Sequence, residues 1–159
     1  METIKVPGPD HPIAIFANPR RVRALFHGHE VADSDDVLML AEASYKPVAY
    51  FPREHVDMAF LTRTQRDTWC PYKGHAAYFT LTRDGAIAED AVWTYETPHP
   101  AMQAIAGRLA FFPNVVTIEE APPARGASVD EIVQHTDSGA GASQREHWRP
   151  NVDEPPAQD

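Results

Sequence analysis

Over the first 120 residues, short runs of alternating apolar and polar positions recur between turn residues, and this period of two predicts strands rather than long helices. "IAIF" is a short apolar run that stops at Asn18 and Pro19. In "RVRALFH", Val22, Ala24 and Phe26 fall on one face of a strand and Arg21 and Arg23 on the other. Gly28 centres a hairpin turn in "HGHE". "VLMLAEAS" and "PVAYF" read as two strands joined across Tyr45 to Pro47. "AAYFTLT" and "IAEDAVWTYE" flank Asp84 and Gly85, a good hairpin signal, and "FFPNVVTIEE" reads as a strand pair or a bent strand. Helical spacing occurs once, at Met102, Ile105 and Leu109, with Pro98 and Pro100 near the start and Gly107 near the stop, which predicts about two turns. The pattern therefore predicts a mainly β, single compact antiparallel domain, barrel-like and closed or nearly so, with one short helix.

The pattern fades near Glu120. Residues 1–120 hold 11 Lys and Arg against 16 Asp and Glu, whereas residues 121–159 hold 3 against 7 in a stretch rich in Pro, Gly and Ala. Having Trp148 as its only aromatic residue, this acidic arm cannot build a core of its own. Within it "VDEIVQH", Val129 to His135, is expected to form a helical turn, and Trp148 to anchor the arm on a neighbouring surface. That surface includes a second copy of the chain, so a homodimer formed through the arm is one expectation.

At a formal net charge of -9, the chain lacks the clustered cations that broad nucleic-acid binding requires. "METIKVPGPDHPIAIF" interrupts its apolar residues with prolines and charges, unlike a signal peptide, and no segment approaches membrane-spanning length, so a cytoplasmic protein with no membrane partner is expected. A single cysteine excludes an intrachain disulfide and paired-cysteine zinc sites.

Candidate chemistry concentrates in "TWCPYKGHAAYFTL". Pro71 and Gly74 predict a tight turn into a strand. Cys70 reads as a buried thiol rather than a nucleophile, since its helpers Lys73 and His75 have no demonstrated reach. Lys73, held between Tyr72 and Gly74 in that turn, is a fixed anion contact if it faces a pocket. Arg53 supplies a second cation, and an anionic ligand follows if sheet closure brings Arg53 and Lys73 to one cavity. Tyr78 points opposite to Phe79, and Trp93 shares a face with Tyr95. His27 and His29 flank Gly28 without a third metal ligand at a recognised spacing. Asp33 and Asp35 share a face of an extended segment, an arrangement able to hold magnesium.

The segments "FANPRRVR", "HEVADSDD", "AYFPREHVDM", "CPYKGHAAYFTL", "WTYETPHP" and "IAGRLAFFPNVV", in this order from about Pro12 to Glu119, resemble the domain of unknown function 427 family, most specifically at Cys70 to Gly74. The resemblance implies a β-tent fold over residues 1–120 and carries a nucleotidyltransferase-like label. Similar β-tent domains hold zinc in two paired-cysteine knuckles, a pattern from which the lone Cys70 departs. Others receive a ligand in an aromatic-walled pocket between sheets. By that analogy Tyr78, Trp93 and Tyr95 form walls and Arg53, Tyr72 and Lys73 polar contacts of a module that binds an anionic or heteroaromatic small molecule. The alternatives are a nucleotidyltransferase-like enzyme, with magnesium on Asp33 and Asp35 and phosphates on Arg53 or Lys73, and a protein-interaction module working through the arm.

Overall fold

A computed structural model describes residues 4–122 and the backbone of residues 132–135. Its strands form three antiparallel sheets. In the first, β1 (Ile13–Ala17) pairs with β4 (Leu38–Glu42), and β4 with β5 (Val48–Tyr50). The other edge of β1 is covered by β11 (Ile132–His135). The second sheet orders β10 (Thr117–Glu120), β2 (Val22–Phe26) and β3 (His29–Ser34). The third runs β6 (Leu61–Cys70), β7 (Gly74–Arg83), β8 (Ala86–Thr94) and β9 (Leu109–Phe111). Phe51 and Leu109 exchange backbone hydrogen bonds of 2.8 and 2.9 Å, so the first sheet runs on into the third through the end of β5 and the start of β9.

Turn chemistry fixes these pairings. His27 and Gly28 have φ of 50° and 80°, and Asp84 and Gly85 have 50° and 84°. Two successive positive φ values are what a two-residue hairpin needs to match the twist of its strands. The alternation of side chains then builds two cores, because the third sheet is covered on both faces. Tyr78 and Trp93 enter one core with Ile13, Ile15, Leu38 and Leu40, while Phe79 and Val92 enter the other with Phe26 and Phe51. Burying each such side chain contributes about 1.5–3 kcal/mol.

The mainly β expectation holds, but the sheets do not close into a barrel. The expected helix is a 3-10 segment at Pro100–Ile105 that buries Met102 and Ile105. Leu109 belongs to β9 instead, since Gly107 at φ 73° turns the chain before the third apolar position is reached. The two ends of "FFPNVVTIEE" do not pair with each other: Phe111 closes β9 in the third sheet, and Thr117 opens β10 in the second. Ile132–His135 is strand rather than helical turn, because the edge of β1 offers it backbone partners. Trp148 and the Pro-rich segments of the arm lie outside the described residues.

No alternation announced β6. It is an edge strand whose exposed and half-buried residues leave little apolar signal. Its register with β7 slips between Arg63, opposite Phe79, and Asp67, opposite Ala77, so Thr64 to Arg66 bulge outward. A second irregularity lies across β7, where Phe79 pairs with Val92 but Leu81 with Ala88. Thr64 Oγ1 donates to Asp90 Oδ1 at 2.6 Å and ties the two bulges together.

Candidate functional site

The Cys70 to Gly74 turn is as the sequence predicts, with Gly74 at φ 108°. A Cβ at Gly74 would lie 3.5 Å from the backbone of both Pro98 and His99, and the His99 N–H donates to the Lys73 carbonyl at 3.1 Å. This packing turns Lys73 inward rather than out to solvent. Its side chain is 2% exposed, and Nζ donates to Glu42 Oε1 at 2.6 Å. The second carboxylate oxygen of Glu42 lies 2.7 Å from His11 Nε2. An ionised carboxylate only accepts, so Nε2 carries the hydrogen. The His11 ring stacks on Tyr72 with centroids 4.1 Å apart and planes 9° from parallel. Lys73 Nζ also lies 5.8 Å from the centre of the Tyr95 ring.

Burial alone would push the Glu42 carboxyl up; the Lys73 ammonium and the hydrogen bonds from His11 and Lys73 outweigh it and hold the group below its ordinary value. Burial would likewise lower Lys73, but the charge of Glu42 raises it well above its ordinary value. The pair is therefore ionised, a charged centre within an apolar core. Tyr50 is pushed up to about 12, by burial first, and donates nothing to this pair: its hydroxyl accepts from Trp93 Nε1 at 3.2 Å. Burial also raises the Cys70 thiol, the opposite of what a nucleophile requires.

Lys73, Tyr72, Tyr78, Trp93 and Tyr95 thus come together in one core, each at most 2% exposed. Arg53 does not join them. It lies on an exposed 3-10 turn, Arg53–His55, with its guanidinium 5.8 Å from the centre of the Phe79 ring, on the side of the third sheet that faces the other core. Arg53 and Lys73 consequently share no cavity. Sequence reasoning missed Glu42 and His11, although both carry a signal: Glu42 continues the inward phase of Leu38 and Leu40, and His11 that of Ile13 and Ile15.

The Asp33 carboxylate takes two hydrogen bonds from Arg21, at 2.7 and 2.5 Å, and is held below its ordinary value by them. Asp35 is exposed and lines a shallow groove with Arg21, Asp33, Ser34 and His55. His29 pairs with Asp84 at 2.8 Å rather than converging with His27. Among the described residues no group of three or more His, Cys, Asp and Glu is placed to hold a metal ion, and no helix is long and apolar enough to cross a membrane.

Open space with ligand-like lining occurs instead at the seam of the three sheets. A cleft of about 220 Å³ is lined by Met39 and Val48 from the first sheet, Phe111 from the third, Ile118 from the second, and Pro113 between. Trp93 underlies it while remaining fully buried. Lys46 and Glu120 flank the mouth. Glu120 is already engaged by Arg20 at 3.2 Å and Asn18 at 3.0 Å. Lys46 is exposed and has no ion pair among the described residues.

No curated protein matches the chain. A match over residues 14–122, from the strand that carries the His11 phase to the end of β10, includes Glu42, Lys73 and every residue lining the seam cleft, and by it the chain belongs to the family described as Domain of unknown function (DUF427).

Proposed function

We propose that the protein binds a small molecule in the seam cleft, one that joins an apolar or heteroaromatic body to an anionic group. The observation that carries this reading is the combination of an apolar lining with a cation at the mouth, Lys46, that has no ion pair among the described residues. Pockets use apolar walls for affinity and a few placed polar groups for orientation. At about 220 Å³ the cleft is smaller than the roughly 300 Å³ of the smallest drug-sized sites, which favours a fragment-sized ligand. Trp93 forms the floor of the cleft and belongs to the same core as Tyr72, Tyr78 and Tyr95.

Nucleotidyl transfer, which the label on the family suggests, has less support. It needs a metal and phosphate contacts that converge, whereas Asp33 is committed to Arg21, and Lys73 to Glu42.

A thermal-shift screen of small aromatic and heteroaromatic acids tests the proposal. A ligand at about 100 times its dissociation constant stabilises the fold by about 2.7 kcal/mol. Lys46→Glu should weaken the anionic ligands selectively, and Val48→Trp, which fills the cleft, should remove binding of all of them. A ligand indifferent to both substitutions, or a screen without any saturable binder, refutes the assignment.

A further inference from the structure

Residues 4–12 reach the first core with little regular structure of their own. They hold a short turn in which Gly8 and His11 exchange backbone bonds of 3.3 and 2.9 Å, and the Lys5 N–H donates to the Pro71 carbonyl at 2.8 Å. Ile4 and Val6 point outward, 60% and 46% exposed. Within this segment Pro7 and the His11 imidazole are buried, the imidazole 2% exposed.

The stacking and hydrogen-bond partners of that ring belong to other elements. Tyr72, on the rigid Cys70 to Gly74 turn, supplies a parallel aromatic face at 4.1 Å. Glu42, on β4, supplies an in-reach acceptor at 2.7 Å, and its other oxygen is fixed by Lys73. A flat π surface beside a pre-aimed, desolvated carboxylate is the pair of contacts that recognises a planar heteroaromatic ring bearing an N–H. The receiving groups belong to the sheet framework, and the occupant belongs to a segment that lies outside every sheet.

We propose that Tyr72 and Glu42 form a second binding site, distinct from the seam cleft, for a planar heteroaromatic N–H compound, and that His11 is its intramolecular occupant. A free ligand enters when residues 4–12 lift away and the imidazole withdraws. A group tethered to the same chain competes at an effective concentration of the order of mM or above. The occupied site therefore admits only ligands that outcompete that value, and removing the imidazole should raise affinity for all of them.

The test uses the full chain and two probes, pyrazole and N-methylpyrazole, which share a ring and differ in the N–H donor. His11→Ala should bind pyrazole saturably by NMR, at least about tenfold more tightly than the unaltered chain does, given the lost competitor. N-methylpyrazole should bind more weakly, and adding Glu42→Gln should reduce the preference between them. In the unaltered chain, excess pyrazole should move the His11 ring protons from their stacked position toward that of an exposed histidine. Val48→Trp, which fills the seam cleft, should change none of this, and that separates the two sites. Failure of a well-dispersed His11→Ala chain to bind pyrazole overturns the proposal. So does saturable binding of pyrazole to the unaltered chain that leaves the His11 ring protons unmoved. Should His11→Ala not fold, the His11 resonances of the unaltered chain under pyrazole titration to its solubility limit decide alone, movement supporting the site and its absence overturning it.

Discussion

Replacing Glu42 by Gln preserves the shape of the side chain and one acceptor oxygen, removes the charge that Lys73 faces, and turns the second acceptor into an N–H donor. Side-chain exposures of 2% and 1% take this pair out of the class of exposed ion pairs worth up to about 1 kcal/mol. Removing one member of a buried pair leaves the other uncompensated, at a cost of about 3–5 kcal/mol. For a folded unit of this size each kcal/mol moves the melting temperature by about 3–5 °C, so the expected fall is roughly 10–20 °C. Lys73→Met should be of similar severity. The double variant Glu42→Gln/Lys73→Met should recover at least half of the summed loss, because neither charge is then left alone in the core. Urea unfolding followed by tryptophan fluorescence, to which buried Trp93 contributes, measures all three, with m unchanged if only stability has altered. A loss below about 1 kcal/mol for Glu42→Gln, or strict additivity in the double variant, would refute the coupling of the two charges. The pH dependence has a definite sign. Glu42 is held below its ordinary value of 4.5, so its contribution is complete above that pH and is lost as the pH falls from 4.5 through the lower folded value. Lys73 is held well above 10.5, so its contribution is complete below that pH and is lost only above it. Glu42→Gln should flatten the acid limb.

Gly74→Ala should cost about 1–3 kcal/mol from backbone strain, since φ is 108° and the new methyl would meet only ordinary contacts at 3.5 Å; an unchanged melting temperature would argue against that strain. Cys70, buried and with its thiol raised, should react with a thiol reagent only along the unfolding transition in urea, and rapid labelling of the folded protein would contradict the packing. Ending the chain after Pro122 removes β11 and uncovers the outer edge of β1, so hydrogen exchange should accelerate in β1 but not in β8. Equal protection of β1 in both chains would deny β11 its role.

Local features of the fold were legible because they depend on neighbouring residues. The hairpins at Gly28 and Gly85, the turn at Gly74 and the opposed Tyr78 and Phe79 all follow from φ requirements and a period of two. Sheet order was not legible: β1 pairs with β4, and β10 with β2, across long separations that no local pattern encodes. β6 was missed because an edge strand open to solvent needs no apolar alternation. The expected site was harder still. A lysine in a Pro/Gly turn reads as exposed unless its counter-charge is known, and Glu42 is 31 positions away. The clue lay in phase rather than in motif. A glutamate in register with Leu38 and Leu40, and a histidine in register with Ile13 and Ile15, are polar groups at apolar positions, and such groups need partners. Lys46 carried no signal, since the cleft beside it exists only where three separately specified sheets meet.

The paired bulges on either side of β7 bear on how the molecule behaves in a crowd of its own kind. The outer edge of the ten-residue β6, which has no strand partner among the described residues, would otherwise template the growth of a continuous intermolecular ribbon. At Thr64 to Arg66 the row of donors and acceptors breaks step, and the Thr64–Asp90 bond prevents it from straightening. Two copies approaching edge to edge can join only over short lengths on either side of that kink, and the charges of Arg63, Arg66 and Asp67 keep even these lengths apart. The irregularity works as a fuse against fibre formation, set into the strand that most needs one.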